Sequence, residues 1–579
     1  MEDMLIEKAK NRYSIVTEEK ASGATYTPKV LSDFVARQII EVAKTLPNDR
    51  PVRLLDPAVG DGELLLSLLE QLDLSTRKRV EVCGFDTDLD ALIVAEKRIS
   101  NLYPNVSMLF DHHNFLEFVL KEFGGGETED LFRTSVHEKY DLVIANPPYV
   151  RTQIMGAAQA RQLSEQFGLT GRVDLYYAFI LGMAKVLKPK GIAGIIVSNR
   201  FMTTKSGAAV RRALIESFNI QHVWDLGDTK VFDAAVLPAV LLVEGKNGYK
   251  REVPDFTSIY ETTESTTVKS VNVINALSMN GIVQTDNGRR FQVQHGKLNT
   301  GSSSDGVWRI ATEAVDTWLA TVNDHAWGTF RDIGKIRVGV KTCADKIFIR
   351  DDWDGFQERP ELLKPLTTHH IARRFKASTS DRPKEILYPH EVVQGKRQTV
   401  NLSRYPFSKA YLEDHKEKLA GRKYVVDAGR NWYEIWVAQD PGLWNKPKLV
   451  FRDISEKPTF WVDLGGSIVN GDCYWLTCQN SNKDDLLWLA AAVANSTFIE
   501  QFYDYRFNNK LYAGRRRFIT QYVEKFPLPN PASEIGKAII NKARQTYKCI
   551  PSQKAEELEK ELDLMVWESF SLVVKEVAA

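Results

Sequence analysis

The sequence predicts a doubly wound, Rossmann-like α/β domain, followed by an α+β domain and a helical tail. Between residues 50 and 245, short apolar runs alternate with segments of helical periodicity. Most of these apolar runs are continuous, which is typical of strands buried on both faces of a mostly parallel sheet. Polar and Thr-rich segments begin after residue 245 and indicate a linker. We therefore divide the chain into residues 1–245, 246–330, 331–530 and 531–579.

The elements of the first domain alternate between strand and helix, which is the order of a doubly wound sheet. The predicted strands are Val52–Asp56, Val80–Asp86, Tyr140–Asn146, Ile192–Ser198, His222–Leu226 and Ala239–Glu244. The predicted helices are Gly62–Leu72, Ala91–Leu102, Asp174–Leu187 and Ala208–Phe218. Residues 331–530 combine Trp, Tyr and Pro with short β-like runs, which predicts a mixed α+β domain. The apolar spacing in Lys554–Val577 predicts a helix.

Bulk composition limits the class of protein. The 579 residues are too many for one ordinary domain. No apolar run reaches the roughly 18 residues of a membrane span, and the N-terminus lacks the apolar region of a signal peptide. The five scattered cysteines form no CxxC pair, which fits a reducing cytoplasm and gives no zinc pattern. Net charge is +1, although residues 331–530 carry 33 Lys and Arg against 25 Asp and Glu.

Two glycines and two acids follow the first two predicted strands. Gly60 and Gly62 open the first helix, where glycine lets a ligand approach the backbone and the helix N-terminus offers free N–H groups. Asp56, before the glycines, can hold a ligand ammonium group. Asp86, at the end of the second strand, suits a ribose diol. The alternative is a tight strand–helix turn beside a solvated Asp, but the combination favours a nucleotide-like ligand.

The tetrapeptide Asn146-Pro147-Pro148-Tyr149 follows the apolar run Tyr140–Ala145, at the strand end where open α/β sheets bind ligands. An exocyclic amine or amide nitrogen is a poor nucleophile because its lone pair is delocalised. The Asn146 side-chain oxygen and the Pro147 carbonyl can accept its two hydrogens, so that the lone pair turns toward a sulfonium methyl donor. Tyr149 can stack on the flat group, and positioning supplies the rate without a metal. A proline-rich turn that ends a strand is the structural alternative.

At these residues the chain resembles the γ-type N6-adenine DNA methyltransferases of type II restriction–modification systems. The resemblance covers nearly the whole chain. It implies S-adenosylmethionine as cofactor and double-stranded DNA as partner. The implied activity is N6 methylation of a flipped-out adenine at a specific site, which protects that site from a cognate restriction endonuclease. We expect the enzyme to act as a monomer on DNA, at the nucleoid in a prokaryotic cytoplasm.

The resemblance assigns the cofactor-binding residues motif by motif. Tyr26, Thr27 and Pro28, within Gly23–Pro28, match the N-terminal motif that contacts the methionine part of the cofactor. Asp56, Ala58, Gly60 and Gly62 match the first nucleotide-binding motif, and Asp86 matches the acid that binds the ribose. Asp174–Phe179 matches the segment that shapes the adenosine pocket.

The remaining assignments concern the target adenine and the adenine of the cofactor. Asn146–Tyr149 matches the catalytic tetrapeptide, and Phe232, within Lys230–Asp233, matches the aromatic that stacks on the extruded base together with Tyr149. One position departs from the family. Where an Asp-Phe pair usually contacts the cofactor adenine amine, this chain offers Asn114-Phe115, with Asp111 nearby. An Asn oxygen can accept the same hydrogen bond, and we favour Asn114, with Asp111 left open.

The second half resembles the family's target recognition domain at 338–342, 448–454 and 514–529. Clusters of basic residues there suit phosphate contact or the reading of guanine edges. For each cluster a solvated charged face is an equal alternative. The candidate DNA-binding residues are Arg373, Arg374, Arg422, Lys423, Arg515, Arg516 and Arg517.

Other function classes remain open from the sequence. Protein glutamine and RNA methyltransferases use the same tetrapeptide, but their resemblance would cover only the first 250 residues. A fused restriction nuclease is disfavoured, because we see no nuclease-type cluster of carboxylates and lysine. A non-catalytic DNA-binding specificity protein is disfavoured by the intact glycine loop and tetrapeptide.

Overall fold

The structure, a computed structural model, describes residues 26–43, 46–123, 139–149, 161, 165–169, 174–204, 206–232, 237–246, 253–301, 306–478, 484–507 and 515–573. The chain divides into two compact units, Met1–Thr312 and Glu313–Ala579. The first unit extends well beyond the predicted boundary at residue 245, because later strands join the same sheet.

A single twelve-stranded sheet forms the centre of the first unit. Its strands are β1 (Val52–Asp56), β2 (Val80–Phe85), β3 (Ser107–Asp111), β4 (Tyr140–Ala145), β5 (Leu187–Ser198), β6 (Phe218–Asp225), β7 (Pro238–Gly245), β8 (Asp255–Glu261), β9 (Lys269–Ser270), β10 (Gly281–Thr285), β11 (Arg290–Asn299) and β12 (Arg309–Ala311). The order across the sheet is β3-β2-β1-β4-β5-β7-β6-β8-β11-β10-β9, with β12 paired to β11. Strands β1 to β5 are mutually parallel, and β7 runs antiparallel between β5 and β6.

Helices cover both faces of this sheet. Leu54 and Leu142 pack into a hydrophobic core on one face, whereas their neighbours Leu55 and Val143 pack into another core on the opposite face. Burial on both faces explains why the strand sequences are continuous apolar runs. The helices are α1 (Lys29–Val42), α2 (Glu63–Gln71), α3 (Leu74–Arg77), α4 (Leu89–Leu102), α5 (Phe115–Phe123), α6 (Leu175–Val186), α7 (Ala208–Ser217) and α8 (Val273–Ala276).

The Thr-rich stretch that composition assigned to a linker contains β8. Thr257 is 1% exposed and lies in a strand paired with β6 and β11. Because threonine is β-branched, a Thr-rich segment serves as a buried strand as readily as a loop.

The second unit is a mixed α+β assembly, as predicted for residues 331–530. Its strands are β13 (Gly328–Thr329), β14 (Ile336–Val338), β15 (Ile349–Arg350), β16 (Leu363–Thr367), β17 (Glu385–Leu387), β18 (His390–Val393), β19 (Lys396–Thr399), β20 (Lys448–Arg452), β21 (Ile454–Ser455), β22 (Phe460–Asp463), β23 (Ile468–Val469), β24 (Cys473–Leu476), β25 (Arg516–Arg517) and β26 (Pro527–Leu528). Two four-stranded sheets, β14-β24-β20-β22 and β15-β17-β16-β23, form its centre.

Helices complete the second unit. The predicted tail helix is confirmed as the last of them, and its Leu562 and Val566 lie in the same core as Leu449 of β20. Among the described residues, no helix is long and apolar enough to cross a membrane. The helices are α9 (Glu313–His325), α10 (Phe330–Ile333), α11 (Asp345–Phe348), α12 (Pro406–Asp414), α13 (Lys416–Ala420), α14 (Lys423–Val426), α15 (Asp485–Ala494), α16 (Thr497–Phe507), α17 (Thr520–Val523), α18 (Glu534–Cys549) and α19 (Gln553–Ser569).

Candidate active site

A cavity of about 240 Å³ opens in the first unit, where β1, β2 and β4 end. The carboxyl ends of parallel strands meet at one edge of a sheet, so the residues that follow these strands converge there. The cavity brings together most of the predicted site residues from five separate segments of the chain. They are Tyr26, Ala58, Gly60, Asp86, Asn114, Phe115 and Asn146–Tyr149.

The glycine loop lies against the end of β2. Gly60 and Gly62 have φ angles of 52° and 82°, a left-handed conformation that favours glycine. The Gly60 N–H donates to Asp86 Oδ2 at 2.8 Å, and the Asp88 N–H donates to Asp86 Oδ1 at 2.9 Å. These two bonds hold the Asp86 carboxylate at the cavity wall. Gly62, at the start of α2, does not line the cavity and lies instead against Ala95 of α4.

Asp56 is completely buried beneath this loop. Its Oδ1 accepts the Ala58 N–H at 3.0 Å, while its Oδ2 is buried without a hydrogen-bond partner. Burial raises the pKa of Asp56 to about 8. A buried carboxyl group with an unused oxygen suits a cationic ligand group, since an unpaired buried polar atom is costly. Asp56 is not part of the cavity wall, so its contact with a ligand ammonium group stays a prediction, whereas the Asp86 carboxylate at the wall fits a ribose.

Both ends of the Asn146 side chain are held by hydroxyl groups. Its Nδ2 donates to Thr27 Oγ1 at 3.0 Å, and its Oδ1 accepts the Tyr149 O–H at 2.8 Å. Burial raises the pKa of Tyr149 well above its usual value, so this hydroxyl stays protonated and can donate. The Tyr149 ring also packs edge to face against Tyr176, with the ring centroids 6.1 Å apart. Contacts with Thr27 and Tyr176 thus fix the first and last residues of the tetrapeptide Asn146–Tyr149.

Asn114 and Asp111 were the two candidates for contact with the cofactor adenine amine, and of these Asn114 lines the cavity. Asn114 Oδ1 also accepts the Leu116 N–H at 2.9 Å and so caps α5. Asp111 is hydrogen-bonded to His113 and is not part of the cavity wall. The contact of Asn114 with a cofactor amine stays a prediction.

Phe232 does not reach this cavity in the structure. It is 4% exposed and lies in a core that also contains Trp224 and Leu226. Its neighbour Asp233 lies outside the described residues, as do Gly23–Thr25 of the N-terminal motif. A stacking role for Phe232 would require its side chain to move, and it stays a prediction.

Sequence reasoning missed several residues of the cavity wall, among them Thr87, Asp88 and His113. Asp88 caps α4 by accepting the N–H groups of Asp90 and Ala91. Its position two residues after Asp86, at a helix start, was a usable signal. His113 carried none, because it lies in an irregular turn between β3 and α5.

Several of the basic residues in the second unit have protein partners. Arg422 is 7% exposed and donates to the carbonyl groups of Leu419, Thr342 and Trp432. Arg516 forms two hydrogen bonds with Asp504, and Arg517 pairs with Asp453. These partners give the three arginines structural roles.

The remaining basic candidates are more accessible. Arg374 is paired with Glu559 but exposed, Arg373 is half-buried, and Lys423 and Arg515 are exposed. DNA contact therefore stays a prediction for the accessible candidates, which are Arg373, Arg374, Lys423, Arg515 and also Arg517, whose side chain is 40% exposed.

Family models match both units. One described as Eco57I restriction-modification methylase matches residues 80–232, and one described as TaqI-like C-terminal specificity domain matches residues 391–528. The solved structure of the Type IIL restriction-modification enzyme MmeI in complex with DNA superposes with a TM-score of 0.61 at 13% identity. That match covers 98% of this chain and 78% of MmeI, and it shows the fold.

Full-length relatives extend the match over both halves. The Type II methyltransferase M.BstVI of Geobacillus stearothermophilus is 24% identical, over 88% of this chain and 90% of its own. The Type II methyltransferase M.BanIII of Aneurinibacillus aneurinilyticus is 37% identical over 547 residues, which cover 92% of this chain and 93% of the relative. The chain therefore belongs to the Type II restriction–modification methyltransferases, which are site-specific DNA methyltransferases with S-adenosylmethionine as the methyl donor.

Proposed function

We propose that this methyltransferase transfers a methyl group to N6 of an adenine within a specific duplex DNA sequence. The observation that carries this proposal is the Asn146 amide, held by two hydroxyl groups inside the cavity that also contains the glycine loop and Asp86. An aromatic amine and a methyl donor could meet in that cavity. No other group of residues on the first unit combines these features among those that the structure describes.

The tetrapeptide would prepare the amine for attack. The Asn146 Oδ1 and the Pro147 carbonyl oxygen would each accept one N6 hydrogen, which draws the nitrogen lone pair out of conjugation. Neither Pro147 nor Pro148 has an N–H group, so these two residues add no backbone donor at the site. An amide oxygen has two lone pairs, so Asn146 Oδ1 can accept the Tyr149 O–H and one N6 hydrogen together. S-adenosylmethionine, when bound, supplies an electrophilic sulfonium methyl group. The contribution of the chain is then position and electrostatics.

The cofactor would be held mainly by carboxylates and a helix end. Asp86 would accept hydrogen bonds from the ribose hydroxyls, and the free Oδ2 of Asp56 would face the ammonium group. Asn114 and Phe115, at the start of α5, would contact the adenine ring, while Tyr26 would cover the methionine part. Thr27 and Pro28 follow Tyr26 and lead into α1.

The target adenine must leave the double helix to react. Its N6 lies in the major groove of stacked DNA and cannot enter a cavity at the end of a strand. Unstacking costs a few kcal/mol, and stacking on Tyr149 would offset part of this cost. Phe232 would add a second stacking face if its side chain left the core that it occupies.

The order of the segments supports the γ-type arrangement. The cofactor residues Tyr26 to Asp86 precede the tetrapeptide, and the segment similar to a specificity domain, 391–528, follows it. We infer that the enzyme acts as a monomer on DNA and protects its site from a cognate endonuclease in a bacterial cell. Protein glutamine or RNA methylation, the alternative, would leave residues 391–528 without a role.

The test is to identify the methylated product. Purified protein and S-adenosylmethionine labelled on its methyl group are incubated in three separate reactions. One contains duplex DNA, one structured RNA and one a glutamine-containing protein extract. DNA digested to nucleosides should contain labelled N6-methyladenine, and the other two substrates should stay unlabelled. Labelled N4-methylcytosine would overturn the choice of base, and label in RNA or protein alone would overturn the proposal.

A further inference from the structure

A two-stranded hairpin projects from the second unit. Strands β18 and β19 pair only with each other among the strands that the structure describes. Gln394 and Gly395 join them with φ angles of 49° and 74°. Two successive left-handed residues are typical of a type I′ turn, which matches strand twist and makes a hairpin rigid. Every residue from Val392 to Gln398 is exposed.

The two faces of the hairpin differ, because side chains alternate along a strand. On the inner face, His390 is buried and its Nε2 accepts the Ile435 N–H at 3.1 Å. Arg397 donates to the Gln439 carbonyl at 3.2 Å. These contacts anchor the hairpin to the unit.

The outer face carries four side chains in two cross-strand pairs, Glu391 with Gln398 and Val393 with Lys396. Gln398 Nε2 donates to Glu391 Oε1 at 3.4 Å, which orients the amide. The face therefore presents an acceptor, an amide, a cation and an apolar group on a rigid ribbon.

We propose that this outer face enters the major groove of DNA and reads part of the target sequence. The major groove is about 12 Å wide and admits a two-stranded β-ribbon. Gln and Lys can bind adenine and guanine edges, Glu can accept from cytosine N4, and a valine can contact a thymine methyl group. Lys396 on this face also matches the negative charge of the phosphates.

Exposure supports an occupant that is absent from the free protein. Val393 of the outer face is 40% exposed, and its cross-strand partner Lys396 and the amide of Gln398 are exposed beside it. Polar groups and a valine that no other part of the chain covers are free to contact base edges. The segment similar to a specificity domain begins at residue 391 and so contains this hairpin almost entirely.

The test rests on the proposed DNA methylation and separates the two hypotheses. Sequencing of plasmid DNA from cells that express the full chain gives the methylated motif, and a short duplex with that motif is the probe. The double variant Lys396→Ser and Gln398→Ser should weaken binding of that duplex about 10-fold or more. Binding of a random duplex should change much less, and the motif should relax at one base pair or more.

The matched control is Lys269→Ser with Gln284→Ser, a Lys and a Gln on paired neighbouring strands of the first unit. This control should keep the motif and the affinity of the parent. An unchanged motif and affinity in the hairpin variant would overturn the proposal and leave a protein as the partner of this face. If the parent methylates no motif, the proposed function fails instead.

Discussion

Thr27 and Asn146 lie 119 residues apart in the chain, yet Thr27 Oγ1 accepts a hydrogen bond from Asn146 Nδ2 at 3.0 Å. The Tyr149 hydroxyl holds the opposite end of the same amide at 2.8 Å. Two contacts on one short side chain remove its rotational freedom before substrate binds, which is how a site becomes preorganised. We therefore expect Thr27 to act as a positioning residue for Asn146.

Replacing Thr27 with valine should slow methyl transfer. Thr27→Val keeps the shape but removes the acceptor, and a hydrogen bond of about 0.5–1.5 kcal/mol corresponds to a roughly 2- to 13-fold slower rate. Thr27→Ser should restore the parent rate. Single-turnover methylation at saturating cofactor is the measurement, because it separates the transfer step from binding.

A control addresses the stability of α1. Ser32→Ala removes a hydroxyl that donates to the Pro28 carbonyl at 3.3 Å on the same helix, away from the cavity. Its transfer rate should equal that of the parent. If Thr27→Val and Thr27→Ser slow transfer equally, or if Ser32→Ala slows it as much, the effect comes from the stability of α1 and not from the hydrogen bond to Asn146.

Asp56 should release a proton when the cofactor binds. Its pKa of about 8 keeps it protonated at pH 7 because of burial, and a ligand ammonium favours the charged form. Calorimetric titrations with S-adenosylmethionine at pH 7, in two buffers of different ionisation enthalpy, measure this proton. In Asp56→Asn the number of protons released on binding should fall by the contribution of Asp56. An unchanged number in that variant would contradict contact between Asp56 and the ammonium group.

The same group should make stability without cofactor depend on pH. The folded state binds a proton that the unfolded state, with a pKa of about 4, has already lost. The contribution of Asp56 to stability is therefore full below about pH 4 and is lost as pH rises through about 8. Urea unfolding between these limits should show a smaller decline in Asp56→Asn.

Base extrusion should depend on the aromatic face of Tyr149. Duplex DNA with 2-aminopurine at the target adenine should gain fluorescence when the parent binds, since the base leaves the stack. Tyr149→Ala should reduce this gain and Tyr149→Trp should largely keep it, because stacking is worth about 1–3 kcal/mol per base. If Tyr149→Ala gives the same gain and the same turnover as the parent, the stacking role is wrong.

Burial explains which elements could be predicted from the sequence. Strands β1, β2 and β4 are buried on both faces, so their continuous apolar runs were informative. Strand β3 was missed because it lies at the sheet edge, where Leu109 is 54% exposed and the apolar signal is weak. The tetrapeptide and glycine loop were found because each is local, whereas the Thr27–Asn146 contact depends on tertiary structure.

The basic clusters show the limit of composition. Arg422 looked like a DNA contact, but its guanidinium is buried against three carbonyl groups. Arg422→Met should therefore lower the free energy of unfolding by about 3 kcal/mol, since hydrogen bonds from a charged group are lost and carbonyls are left unpaired. Urea unfolding is the measurement. The exposed neighbour in Lys423→Met should change stability little, and equal stability of both variants would contradict a structural role for Arg422.

The most direct test of the account is the transfer rate of Asn146→Ala, measured with binding in the same preparation. The structure places this amide at the cavity, and its loss removes the acceptor for the target amine. The account predicts a single-turnover rate lower by about 100-fold or more, the scale for losing one preorganised catalytic group. Affinities for S-adenosylmethionine and for duplex DNA should stay close to those of the parent. A transfer rate near that of the parent would contradict the central claim.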